Sequence, residues 1–231
     1  MLVKNWMTKQ VVTIDADDSM SHAINIMKEN RIRMLPVLKD GKLVGMVSDT
    51  DLKRSSASDA TTLDVHELLY LISKIKIKDI MTKDPVTVPP DYTVEETAEI
   101  LLNRKISGVP VADERGRVVG IITRDDLFKM LIALSGLGKR GVQFAFRVED
   151  RPGSIKDLTD VLRAHGGRIA SIMSSYEKVP AGFRNAYIRA YDIDRAKMPQ
   201  LIEELKSKAL LIYFVDHREN KREIFHEELS A

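Results

Sequence analysis

Apolar positions along the chain follow two periods in turn. Val11-Val12-Thr13-Ile14 is a β-branched run that predicts a short strand, and the acids from Asp15 to Asp18 end it. Met20, Ala23, Ile24 and Met27 then fall at i, i+3, i+4 and i+7, one face of a helix with Ser19 as N-cap. Leu35 to Leu38 and Leu43 to Val47 read as two strands joined by a tight turn at Asp40-Gly41, and a second helix starts at Ser48. The same order returns. Val86-Thr87-Val88 is a strand, Thr93 and Glu96 form a capping box, and Val94, Ala98, Leu101 and Leu102 share a helix face. Val109 to Val111 and Val118 to Ile122 make a second hairpin across Asp113 to Gly116, one residue longer than the first. Between the copies, 55–62 reads as a polar loop and 65–77 as an apolar helix.

The pattern changes past 135. Gly136, Gly138 and Gly141 spell G-x-G-x-x-G, but a helix precedes them and a strand follows. That is the reverse of the order a dinucleotide-binding loop requires, so 136–141 is read as a linker. Strand 142–148, a helix with Ile155, Leu158, Val161 and Leu162 inward, strands 169–176 and 185–191, helix 199–208 and strand 210–215 give the order βαββαβ. That is the order of a ferredoxin-like sandwich. The predicted class is α+β: a β-α-β-β-α repeat used twice, then the βαββαβ unit. Boundaries fall at 1–76, 77–135, 136–141 and 142–217, with a charged tail at 218–231 expected to be solvated or an oligomer contact.

Length and charge narrow the function. A chain of 231 residues can bury two modest cores, and 36 basic against 34 acidic residues leave a net charge of +2. That balance gives no electrostatic case for nucleic acid or an anionic membrane. The chain has no cysteine, which removes disulfides, thiolate metal sites and a cysteine nucleophile together and suits a reducing cytoplasm. Its longest apolar stretch, 209–215, falls far short of the roughly 20 residues of a membrane helix. The five histidines show no metal-ligand spacing and no nucleophile elbow is present, so neither metal, catalytic residues nor enzymatic turnover is expected. The ten methionines are read as core filler.

The duplicated chemistry is a hydroxyl at a strand end and an acid in the next helical turn: Ser48 with Asp51, and Thr123 with Asp126. A carboxylate can accept bonds from vicinal ribose hydroxyls, and the hydroxyl with free helix amides can hold phosphate. The same spacing also makes a plain helix cap. Its repetition with the Pro36-Val37 and Pro110-Val111 steps, Gly45 and Gly120, and Met7-Thr8 and Met81-Thr82 argues for more than a cap. Cations for a phosphate are Lys9 and Arg33 first, then Arg124, Lys53 and Arg54. Ser107-Gly108 is aligned with Met34-Leu35, so the two clefts are expected to differ.

On these motifs residues 1–135 resemble a pair of CBS motifs. The resemblance implies a regulatory adenosine-containing ligand such as AMP, ADP, ATP, S-adenosylmethionine or NAD(H), not a catalytic cofactor. It implies ribose at Asp51 and Asp126, and phosphate or ribose at Ser48 and Thr123. Adenine would lie by the backbone near Val11, Thr13, Val86 and Thr87, with cleft walls around Pro36, Gly108 and Pro110. The βαββαβ unit resembles an ACT domain, with Asp150-Arg151-Pro152-Gly153 at the turn where such domains hold amino-acid effectors. A well-made strand-to-helix turn needs no effector, and that alternative stands. The combination is similar to the AcuB family of acetoin utilisation. It implies a homodimer, an unidentified target protein and an allosteric role, with a ligand-free assembly scaffold as the alternative.

Overall fold

The computed structural model describes residues 1–59, 70 and 72–226. These form two compact units, Met1–Phe128 and Lys129–Ala231. The first contains strands β1 (Ile14–Asp15), β2 (Met34–Lys39), β3 (Lys42–Ser48), β4 (Thr82–Lys83), β5 (Gly108–Ala112) and β6 (Val118–Thr123). Its helices are α1 (Met20–Asn30), α2 (Asp49–Asp59), α3 (Ile77–Ile80) and α4 (Val94–Asn103), and α5 (Arg124–Leu134) begins in it.

Local chemistry sets these elements. The Ser19 hydroxyl accepts from the His22 amide at 3.2 Å to open α1, and Thr93 and Glu96 cap α4 reciprocally. The β2–β3 turn needs two residues at positive φ, and Asp40 (50°) with Gly41 (76°) supplies them. Met20, Ala23 and Met27 then meet Leu35, Val37, Val47 and Leu52 in one buried cluster.

Three expectations are corrected here. Ser55 to Asp59 continue α2 instead of forming a loop, because no Gly or Pro interrupts the helical ladder and serine costs it little; 60–62 lie outside the described residues. Of the helix expected over 65–77, residues 65–69 and 71 also lie outside them, and its end breaks at Ile75. There the Ile75 carbonyl accepts from Met20 N, and Ile77 N donates to the Asp18 carbonyl, so backbone pairing with copy one replaces helical bonding. The strand expected over 11–14 is confined to Ile14–Asp15, where β1 pairs in parallel with β2.

The repeats also exchange their leading segments. Thr8, ahead of copy one, bridges Ile121 in copy two, and Thr82, ahead of copy two, pairs with Met46 in copy one. Gly45 and Gly120 permit this. A Cβ at Gly120 would lie 2.3 Å from the Met7 sulfur, and one at Gly45 would lie 2.4 Å from the Met81 sulfur. Asp17 adds a polar tie, pairing with Lys39 and with Lys78 at 2.9 Å, and these cations hold its carboxyl down at about 2.

The second unit runs β7 (Val142–Glu149), α6 (Ser154–Ala164), β8 (Arg168–Ser175), β9 (Phe183–Tyr191), α7 (Met198–Lys208), β10 (Leu210–Asp216) and β11 (Lys221–Ile224). Its sheet order is β11-β10-β7-β9-β8, every pairing antiparallel, so β7 to β10 have the ferredoxin-like arrangement. Phe144, Phe146, Ile188 and Phe214 pack with Leu158, Leu162, Leu201 and Leu205 of the two helices. A 3-10 turn, Leu137–Lys139, occupies the expected linker. The tail departs from a solvated extension at Lys221–Ile224, which pair with Tyr213 to Asp216; β10 offered an open ladder edge, and the tail satisfies it. Residues 227–231 lie outside the described residues.

Candidate functional site

The register that builds each hairpin also brings the expected residues together. In copy one Met34 stands opposite Ser48 and Pro36 opposite Met46, while the Arg33 carbonyl accepts from Asp49 N at 2.9 Å. Ile14 pairs with Val37, and Val11 and Thr13 lie just ahead of that pairing, outside the strand. In copy two Gly108 stands opposite Thr123 and Pro110 opposite Ile121, and Arg124 N donates to the Ser107 carbonyl at 3.0 Å. Val88 bridges Val111 and donates to the Pro110 carbonyl, so Val86 and Thr87 precede it beside the same strand. Pro36 and Pro110 are buried; Arg33, Arg124, Val86 and Thr87 are exposed.

At the centre of each copy the strand-end hydroxyl and the helix acid close on one another. Asp51 Oδ2 accepts from Ser48 N at 2.9 Å and from Ser48 Oγ at 2.6 Å, and Asp51 N donates back to Ser48 Oγ at 3.3 Å. Asp126 Oδ2 accepts from Thr123 N at 3.0 Å and Thr123 Oγ1 at 2.7 Å. Both caps are therefore formed. They use one carboxylate oxygen: Asp51 Oδ1 takes no hydrogen bond among the described residues. Asp126 is 7% exposed and Asp51 is half-buried, so the second carboxylate sits deeper.

Lys9 follows Thr8, which bridges Ile121 of β6 in copy two. One placement differs from the sequence expectation. The alignment of Ser107-Gly108 with Met34-Leu35 shifts by one residue: the shared register equates Gly108 with Met34 and Ser107 with Arg33. Copy two thus lacks the arginine that copy one carries at this step. The clefts differ further at Met34, whose sulfur lies where a Cβ on Gly108 would approach within 2.8 Å, next to the Thr123 methyl. Sequence reasoning passed over Met34; its signal is a large residue paired by the repeat with a glycine.

The other cations are partly committed. Lys53 pairs with Asp49 at 3.2 Å, and Arg54 has an interaction of its own. In the second unit Asp150, Arg151, Pro152 and Gly153 form an exposed turn into α6, with Gly153 at φ 91°, a conformation that favours glycine. Arg151 already bridges Glu149 at 3.2 Å and Asp157 at 3.1 Å, and Asp150 accepts from the Tyr176 hydroxyl at 3.2 Å. No group of acidic or histidine side chains able to hold a metal occurs among the described residues, and no described helix is long and apolar enough to cross a membrane.

Comparison with known proteins places this arrangement. The CBS domain model matches residues 3–58 and 77–133. A CBS domain-containing protein of Dictyostelium discoideum is 34% identical over 133 residues, 57% of this chain and 92% of that protein. The CBS domain pair of protein MJ0100, solved with 5'-methylthioadenosine and S-adenosyl-L-methionine, is 31% identical with a TM-score of 0.49, covering 57% of this chain and 95% of that one. A Vibrio cholerae protein assigned to acetoin utilization (AcuB) is 26% identical with a TM-score of 0.50, covering 60% of this chain and 96% of that one. With both repeats matched and almost the whole of a relative spanned, the chain belongs to the CBS domain-containing proteins.

Proposed function

We propose that the first unit is a regulatory sensor of an adenosyl ligand, AMP, ADP, ATP or S-adenosylmethionine, held at Ser48/Asp51 and Thr123/Asp126. One observation carries this reading: a carboxylate clamped at one oxygen by its own cap, with Asp51 Oδ1 left over. That oxygen has the lone pairs to accept from two ribose hydroxyls without reorganisation. Arg33 and Arg124 take the phosphate, with Lys9 serving copy two. Val11, Thr13, Val86 and Thr87 flank adenine, and Pro36, Gly108 and Pro110 wall the clefts.

We read the second unit as ACT-like, sensing an amino acid at Asp150 to Gly153 or mediating assembly. Arg151 would have to exchange an acidic partner for the effector. Coupling between the units is reciprocal, so an effector of one changes affinity at the other. The chain acts in the cytoplasm as a homodimer on a target protein, and likeness to the Vibrio cholerae AcuB protein supports a role in acetoin utilisation. A ligand-free scaffold is the second reading, favoured by exposed Phe128, Leu131 and Ile132 on α5.

A thermal-shift panel of adenosyl compounds and amino acids separates the two. A ligand at 100 times its dissociation constant adds about 2.7 kcal/mol, and Asp51→Ala with Asp126→Ala abolishes the adenosyl response. Silence across the panel supports the scaffold. Turnover of the added ligand that stops in either variant makes the chain an enzyme.

A further inference from the structure

The two hairpins set one residue of each copy opposite its strand-end hydroxyl. Met34 stands opposite Ser48, and Gly108 opposite Thr123. Residues directly opposed across antiparallel strands share a face, with Cβ atoms about 4.5–5.5 Å apart. Met34 therefore starts beside Ser48, but its side chain does not end there. A Cβ on Gly108 would lie 2.8 Å from the Met34 sulfur and 3.0 Å from the Thr123 methyl, so the thioether crosses to copy two and takes the space of the side chain that Gly108 lacks. The exchange runs one way, because Gly108 has nothing to send toward Ser48.

Two more differences narrow the same cleft. Thr123 carries a methyl where Ser48 carries a hydrogen. Asp126 is buried, whereas Asp51 is half-buried and keeps Oδ1 free of hydrogen bonds among the described residues. Charge supplies no equal counterweight: Arg33 serves copy one, Arg124 and Lys9 serve copy two, and all three are exposed, where an ion pair is worth little.

Resting on the adenosyl reading of these clefts, we infer that Ser48/Asp51 is the tight site and that Met34 sets this order by narrowing the Thr123/Asp126 cleft. A ligand entering copy two has to move the thioether off Gly108. Methionine is flexible enough to permit it, so the second site is weakened and not abolished. A tenfold ratio between the sites is about 1.4 kcal/mol, the scale of shifting a packed side chain. Filling is then sequential: a low ligand concentration occupies copy one alone, and copy two responds to a higher one.

The test titrates the full chain with AMP and, separately, with S-adenosylmethionine by calorimetry, with melting curves to establish that each variant is folded. With at least one compound, wild type shows a tight site and a second at least tenfold weaker; Asp51→Asn removes the tight one and Asp126→Asn the weak one. Met34→Ala tightens the weak site at least fivefold, a gain that a merely structural role for Met34 would not produce. Thr123→Ser, which keeps the hydroxyl that Asp126 accepts from, tightens it as well and serves if the alanine variant does not fold. Two wild-type sites of equal affinity, a tight site removed by Asp126→Asn, or folded Met34→Ala and Thr123→Ser chains whose weak site is unchanged would each overturn this proposal and leave the adenosyl reading standing. No binding of either compound overturns that reading and the proposal with it.

Discussion

Asp51 and Asp126 each cap the start of a helix through one carboxylate oxygen. Oδ2 satisfies amide and hydroxyl donors at the helix start, worth about 1 kcal/mol for such a cap. In Asp51 the second oxygen is surplus to that task. The cap, one of the two readings left open by the spacing alone, is formed, and it orients the acid. The Ser/Thr-x-x-Asp pattern was legible because it recurs. The unequal surroundings were not, because they depend on Met34 of one copy meeting Gly108 of the other, a contact between residues 74 apart.

Among the elements, the exchanged segments explain the parts of the repeat with no ligand role. Met7 and Met81 recur because each lies across the glycine of the opposite copy's strand. Gly120→Ala drives a methyl into Met7 and costs about 1–3 kcal/mol, the range of overpacking. Since the three nearest atoms are all from Met7, the Met7→Ala/Gly120→Ala double variant recovers part of that loss, which a urea midpoint reads directly. Asp17 gives a pH signature to the same junction. Its folded value of about 2 lies below the ordinary 3.8, so its stabilisation is present above about pH 4 and disappears as pH falls through 2. The gap in urea midpoint between wild type and Asp17→Asn is therefore open at pH 6, narrows below about pH 4, closes as pH falls through about 2, and shrinks in high salt because the pair is exposed. Helices and hairpins with clear periods or turn chemistry were readable in advance. The break at Ile75 and the strand at Lys221–Ile224 were not, for both are made by pairing with distant backbone rather than by local preference.

For the whole molecule, the order of two like repeats and a βαββαβ unit could be read from hydrophobic period and repetition, and family comparison confirms the CBS pair. What a pair of clefts does depends on occupancy, and in the function proposed above Asp51 and Asp126 hold an adenosyl ligand. Calorimetric titration of AMP, ADP, ATP and S-adenosylmethionine into wild type, Asp51→Asn, Asp126→Asn and the double variant tests it most directly. Asparagine keeps an oxygen acceptor for the cap, so loss of binding does not arise from an uncapped helix. At least one compound binds wild type, each single variant has a weaker or lost site, and the double variant binds none. Undiminished binding in the double variant, or no binding of any compound to wild type, would contradict it.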